Sequence, residues 1–217
     1  DADLPDGGRV LDLGSGKGAA LLALAQAHAI DGIGVDGMEA FVSHANQRSR
    51  SLDLHHRIRF VCEDVLDVVQ EASGASVDLV MMLALGPVLG ELSESITLLR
   101  RCVRPGGYIL VDDAYLAEGI DPADERFEGC LPHAETLQAL TSSGDEIVAE
   151  RAYEDAAYHA WCREMTGKIT ARAVSLARRM PELGEAVLAF AKRQREETEL
   201  LTGPVVGALW LLRRSAD

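Results

Sequence analysis

The residues best suited to ligand chemistry lie in one stretch, Val10-Leu11-Asp12-Leu13-Gly14-Ser15-Gly16-Lys17-Gly18. Glycines let the backbone turn tightly and approach a ligand, and a helix opening behind such a turn offers unpaired N–H groups. A tight turn with no ligand would use the same residues. Gly14-x-Gly16-x-x-Ala19, with Asp36 twenty residues beyond Gly16, satisfies a loose dinucleotide pattern. A Walker A phosphate loop does not fit, because Gly16-Lys17 is followed by Gly18 rather than Ser or Thr.

Three aspartates narrow the choice. Asp12 stands two residues before the first glycine, where a carboxylate would oppose a pyrophosphate but could pair with a cationic amino-acid group. Asp36 and Asp64 each end an apolar run. A carboxylate at Asp64 can accept a hydrogen bond from an adenine amine, and either aspartate can instead cap the helix behind it.

These residues need a scaffold that brings strand ends together. Apolar runs at Arg9–Leu13, Gly32–Val35, Arg59–Cys62, Val77–Leu83 and Tyr108–Val111 read as strands. Between them, Ala19–Ala29, Glu39–Leu52, Val65–Ala72 and Glu91–Cys102 read as helices. Such alternation implies βαβ units and a parallel sheet covered on both faces. Pro105-Gly106-Gly107 reads as the turn into the fifth strand, and 114–131 as a loop rich in Asp, Glu, Gly and Pro. A helix (His133–Leu140) and a strand (Glu146–Arg151) follow; 155–202 is mostly helical, with breaks near Pro181 and Gly184, before a last strand at Val205–Leu212.

At 217 residues, 47% apolar and 26% charged, the chain suits one domain, 1–217, carrying 155–202 as a helical insertion. A net charge of −14 argues against nucleic acid or an anionic membrane as partner. No apolar run approaches the ~20 residues that span a bilayer. Cysteines 62, 102, 130 and 162 form no CxxC pair, which fits reduced thiols in the cytoplasm rather than disulfides or zinc.

Together these motifs resemble the class I methyltransferases that use S-adenosylmethionine (SAM), over about residues 9–113 and more loosely in the last strand. The resemblance implies a Rossmann-like sheet of seven strands, mostly parallel, with helices on both faces and the last strand antiparallel between the fifth and sixth. It implies that Asp12, Gly14, Ser15 and Gly16 surround the methionine part of SAM. It implies that Asp36 binds the ribose hydroxyls, that Gly37 and Met38 lie beside the adenine, and that Asp64 and Val65 contact it. Leu83, after the fourth strand, matches a position with backbone contacts to the methionine end. A little-characterised bacterial group acting on small molecules has a similar layout.

The methyl acceptor should face the carboxyl ends of the strands, as ligands of open α/β sheets do. Leu85, Asp113 and Tyr115 are the candidates to touch it. Leu83-Ala84-Leu85-Gly86-Pro87 lacks the Asn/Asp-Pro-Pro-aromatic signature of many enzymes that methylate amino groups of nucleic acid or protein, which points to a small-molecule acceptor. Asp112-Asp113 resembles part of the metal site of catechol-type O-methyltransferases, but Met82-Leu83-Ala84-Leu85 lacks the acidic partner, so no metal is expected. No residue stands out as a general base. Trp161, Met165 and Ile169 form an apolar stripe in the insertion that suits core packing, a cap over the acceptor or a homodimer surface. Two other readings stay open: a non-catalytic SAM-binding module, and an NAD(P)-dependent oxidoreductase resting on the loose glycine match.

Overall fold

The computed structural model describes residues 4–72, 74, 76–127 and 129–216. The alternation in the first half does build a sheet of βαβ units. Strands β1 (Gly8–Leu13), β2 (Ile30–Asp36), β3 (Ile58–Cys62), β4 (Val77–Leu83) and β5 (Val103–Leu116) are separated by helices α1 (Ala19–Ala27), α2 (Glu39–Ser51), α3 (Val65–Glu71) and α4 (Leu92–Arg100). Helix α5 (His133–Thr141), β6 (Glu146–Ala152), α6 (Ala156–Arg179), α7 (Gly184–Leu201) and β7 (Val205–Arg213) complete the chain. The seven strands lie in the order β3-β2-β1-β4-β5-β7-β6, and β1 through β5 pair in parallel. Strand β7 runs against β5: the Gly106 N–H donates to the Arg214 carbonyl, and the Ala117 N–H to the Pro204 carbonyl. This is the Rossmann-like sheet that the motifs imply, with the final strand antiparallel between the fifth and sixth.

Two compact units divide the chain. The first comprises 1–113, 134–151 and 209–217; the second comprises 114–133 and 152–208. In the first, the α1 and α2 face packs on the sheet through Leu21, Leu22, Ala45, Ile30, Ile58 and Phe60, all at most 4% exposed. Burying side chains of this size contributes roughly 1.5–3 kcal/mol each. In the second unit, α6 and α7 pack together as a helical pair, with Cys162, Ala173 and Ala191 buried and Thr166 hydrogen-bonded to Thr198 at 2.5 Å. No helix among the described residues is long and apolar enough to cross a membrane.

Strand β5 departs from the sequence reading. It runs through Pro105-Gly106-Gly107, expected from local preference to be a turn, and continues to Leu116 into the segment expected to be a loop. The register slips between Val77↔Val103 and Leu79↔Tyr108, so the extra residues form a bulge. Gly106, at φ +73°, allows the bend, and β7 supplies the hydrogen bonds that keep the segment in the sheet. Tertiary pairing overrides the local turn preference of Pro-Gly-Gly.

Glycines in β2 let α1 and the first turn come close. A Cβ at Gly34 would lie 2.3 Å from Phe60 Cδ1 and 2.8 Å from Ser15 Oγ. Gly34→Ala should therefore lower stability by about 1–3 kcal/mol, the usual cost of overpacking a filled core. A denaturant midpoint within experimental error of the parent would show that Phe60 and Ser15 are not held there.

Candidate functional site

The glycine stretch becomes a turn in which every second residue is left-handed: Gly14, Gly16 and Gly18 have φ of +71°, +53° and +73°. Only glycine adopts this repeatedly without steric cost. The Ser15 N–H donates to the Val35 carbonyl at 2.9 Å, and the Gly18 N–H to the Ser15 carbonyl at 2.8 Å. Helix α1 starts directly behind, with Gly18 as its cap. Arg48 Nη1 donates to the Lys17 carbonyl at 3.0 Å, tying α2 to the turn.

Asp36, at the end of β2, reaches across to this turn. Its Oδ2 accepts the Gly16 N–H at 2.8 Å, and its Oδ1 accepts the Met38 N–H at 2.8 Å. Each oxygen keeps acceptor capacity beyond these bonds. Beyond it, Gly37 is exposed and Met38 is 54% exposed at the start of α2. The Cys62 thiol donates to the Gly37 carbonyl at 3.6 Å, joining the ends of β2 and β3.

Asp12 is the unusual group. It is 2% exposed, and its Oδ2 is buried with no hydrogen-bond partner among the described residues. Burial, and then the negative charge of Asp36, push its carboxyl up to about 7. Ser15 Oγ is likewise buried without a partner. A buried polar atom left unpaired costs stability, and functional sites are where such groups persist.

The remaining predicted residues fall into two sets. Asp64 is exposed and caps α3, its Oδ1 accepting the Leu66 N–H at 2.8 Å, while Val65 is buried behind it. After β4, the half-buried Leu83 is followed by Ala84 at φ +50°, a conformation uncommon outside glycine. This bend lays Leu85 over the first turn: a Cβ at Gly14 would meet Leu85 Cδ1 at 2.4 Å. Asp12, the glycine turn, Asp36, Asp64, Leu83 and Leu85 thus gather at the carboxyl ends of β1 to β4. Asp113 is exposed on β5. Tyr115 belongs to the second unit, where its ring meets His133 with centroids 4.5 Å apart.

In the sequence Asp112 enters only with Asp113, as a likeness to part of a metal site, and not among the residues expected to touch SAM or the acceptor. It sits in register with Leu83, half-buried, and burial followed by the charge of Asp113 raises its carboxyl to about 6. Only the pairing of β5 with β4 reveals that level. On another loop, Asp53, His55 and His56 offer three exposed donor atoms within 4.8 Å of one another, between α2 and β3.

The Asp12 environment makes stability depend on pH. The folded protein holds this proton up to about pH 7, whereas the unfolded chain releases it near 3.8. Stability from this group is therefore complete below pH 4 and is lost as pH rises toward 7, on the order of 2–4 kcal/mol. Asp12→Asn should flatten that part of the profile in denaturant titrations between pH 4 and 8. Parallel profiles for parent and variant would mean that Asp12 is solvated.

A sequence model of the family described as "Methyltransferase domain" matches residues 4–196. The chain is 29% identical, over 138 residues, to the uncharacterized protein YjhP of Escherichia coli K12; this is 64% of the chain and 54% of YjhP, so the match spans about half of that relative. The solved structure of YjhP superposes with a TM-score of 0.79 at 19% identity, covering 97% of this chain and 87% of that one. A SAM-dependent methyltransferase from Geobacter sulfurreducens, in complex with S-adenosyl-L-homocysteine, gives 0.74 at 23% identity, covering 96% and 85%. The [4+2]-cyclase SpnF gives 0.80 at 21%, covering 100% and 77%. At these identities the structural likeness is one of fold. The match across 4–196, on this sheet and this glycine turn, makes the chain a member of the methyltransferase-domain family.

Proposed function

We propose that this chain transfers a methyl group from SAM to a small-molecule acceptor. The observation that carries the reading is Asp12, a buried carboxylate whose Oδ2 has no hydrogen-bond partner among the described residues, beside a turn of three left-handed glycines. An isolated buried anion is unfavourable, and a cationic amino-acid group would supply its missing partner. A dinucleotide's pyrophosphate would add repulsion there, which weighs against an oxidoreductase.

On this reading, Asp12, Gly14, Ser15 and Gly16 hold the methionine end, with Ser15 Oγ and Asp12 Oδ2 gaining the partners they lack. Asp36 takes the ribose hydroxyls on the acceptor capacity left by the Gly16 and Met38 N–H groups. Gly37, Met38, Asp64 and Val65 border the adenine, and Leu83 contributes backbone contacts. When bound, the sulfonium of SAM supplies an electrophilic methyl group. The protein's part is to align the acceptor and exclude water. Leu85, Asp113 and Tyr115 remain the acceptor candidates, and Asp112 is the carboxylate placed to take a proton from an acceptor that arrives protonated. The net charge of −14 and the sequence after β4 support a small molecule over nucleic acid. The four free cysteines support a cytoplasmic location. The helical insertion at 155–202, with Trp161 56% exposed, carries acceptor selection in the same proposal.

Calorimetry with SAM and S-adenosylhomocysteine is the first test, followed by product formation with a panel of small acceptors. Failure of both ligands to bind a folded sample would remove the proposal. Binding without methylation of any acceptor would favour a non-catalytic SAM-binding module. Asp36→Ala should weaken SAM binding by ~2–4 kcal/mol and also lower the melting temperature, because the Gly16 and Met38 N–H groups lose their acceptor. Asp36→Asn, which keeps one acceptor oxygen for one of the two N–H groups, should recover part of the stability but not the affinity. Affinity restored along with stability would reduce Asp36 to a structural role.

Asp12 adds a proton count. If a cation takes the place of its proton, binding near pH 7 should release about half a proton, the fraction then bound to a group titrating near 7. Titration in two buffers of different ionisation enthalpy measures this, and Asp12→Asn should abolish it. Proton release that persists in the variant would show that another group is responsible.

A further inference from the structure

The opposite end of the sheet carries a feature that the methyl-transfer reading does not use. A cavity of about 450 Å³ opens at the amino ends of β1, β2 and β3, within the first unit. Its polar wall is formed by Arg9, Asp31, Arg57 and Arg59, and its floor by Leu11 and Ile33. Strand register explains the grouping: Arg9 pairs with Asp31, Leu11 with Ile33, and Ile33 with Arg59, so these side chains share one face. The size is within the range of small-molecule pockets.

Its charge runs against that of the molecule. Three arginines face one aspartate, a surplus of two positive charges in a chain of net −14. Asp78, which accepts the Arg9 N–H at 2.7 Å, is already matched by Arg104 Nε at 2.6 Å. Arg57 commits Nη1 to the Ile30 carbonyl at 3.1 Å. The guanidiniums of Arg9 and Arg59 are exposed and make no hydrogen bond among the described residues. Planar forks of this kind bind phosphate and carboxylate oxygens bidentately. Leu11 and Ile33, only half-buried at mid-strand, leave apolar surface beside them.

We propose that this cavity binds a small organic phosphate monoester: a dianion matching the two surplus charges, with an apolar body lying on Leu11 and Ile33. This site lies at the strand ends opposite those bearing Asp12, Asp36 and Asp64, and it does not depend on the methyl-transfer reading.

Calorimetric titration of the full chain with phenyl phosphate, inorganic phosphate and phenol tests it. Phenyl phosphate should bind at one site, at least fivefold tighter than inorganic phosphate, and phenol should give no saturable signal. The ring resonances of His55 and His56, at the rim of the cavity, should shift along the titration. Arg59→Gln, at an exposed side chain, and Arg9→Gln should each weaken binding at least tenfold while leaving the melting temperature unchanged. Saturating S-adenosylhomocysteine should leave the isotherm unaltered. The proposal is overturned by any of four results: no saturable binding, equal affinity for phenyl and inorganic phosphate, parental affinity in both arginine variants, or displacement of phenyl phosphate by S-adenosylhomocysteine. That last result would place the anion at the glycine turn instead.

Discussion

The hydrogen bond from the Gly16 N–H to Asp36 holds the site together. It joins the turn after β1 to the end of β2, and the same carboxylate accepts the Met38 N–H at the start of α2. Two strand ends and two helix starts are thereby set by one side chain. Residue 16 is left-handed at φ +53°, a conformation that glycine adopts without strain. With Asp36 fixed, its charge acts on Asp12, and the two carboxylates oppose each other in a partly water-excluded space.

Such repulsion is costly, and the fold offsets only part of it. Helices α1, α2 and α3 all begin at the carboxyl ends of the strands, and their N-terminal dipoles favour negative charge there. Asp64 uses this directly as a cap. Asp12 gains no hydrogen bond for its Oδ2 and keeps its proton up to about pH 7 instead. The site is thus electrostatically unfinished by itself, with a buried carboxyl oxygen left unpaired at the base of the glycine turn.

Much of this was legible in the sequence, and the exceptions have physical causes. Alternating apolar runs and helical patterns sufficed for β1 to β4, since buried parallel strands carry a strong apolar signal. The glycine spacing sufficed for the left-handed turn, and the apolar runs for placing Asp12, Asp36 and Asp64 at strand ends, because both depend on local residue type. The length of β5 was hidden, since Pro-Gly-Gly is a turn by local preference and enters the sheet only through β7, about a hundred residues later. Asp112 was hidden for the same reason: its level beside Leu83 follows from strand pairing, not from sequence spacing. The arginine cavity was invisible because Arg9, Arg57 and Arg59 come from two segments that only the register joins.

A parallel sheet makes its two ends chemically different, and this chain exaggerates the difference. Helix N-termini and the acidic residues Asp12, Asp36 and Asp64 share the carboxyl ends of the strands. The amino ends receive helix C-termini, whose dipoles are negative. Arg48 and Arg50 in the last turn of α2 answer that dipole locally. Arg9, in register with Asp31, and Arg59 line the cavity at this end. A chain with fourteen more negative than positive charges repels anions from most of its surface, so a local cationic end focuses the approach of any small anion. Charge segregation along the strand axis therefore gives the domain two ends of opposite preference, each set by the direction in which its strands run.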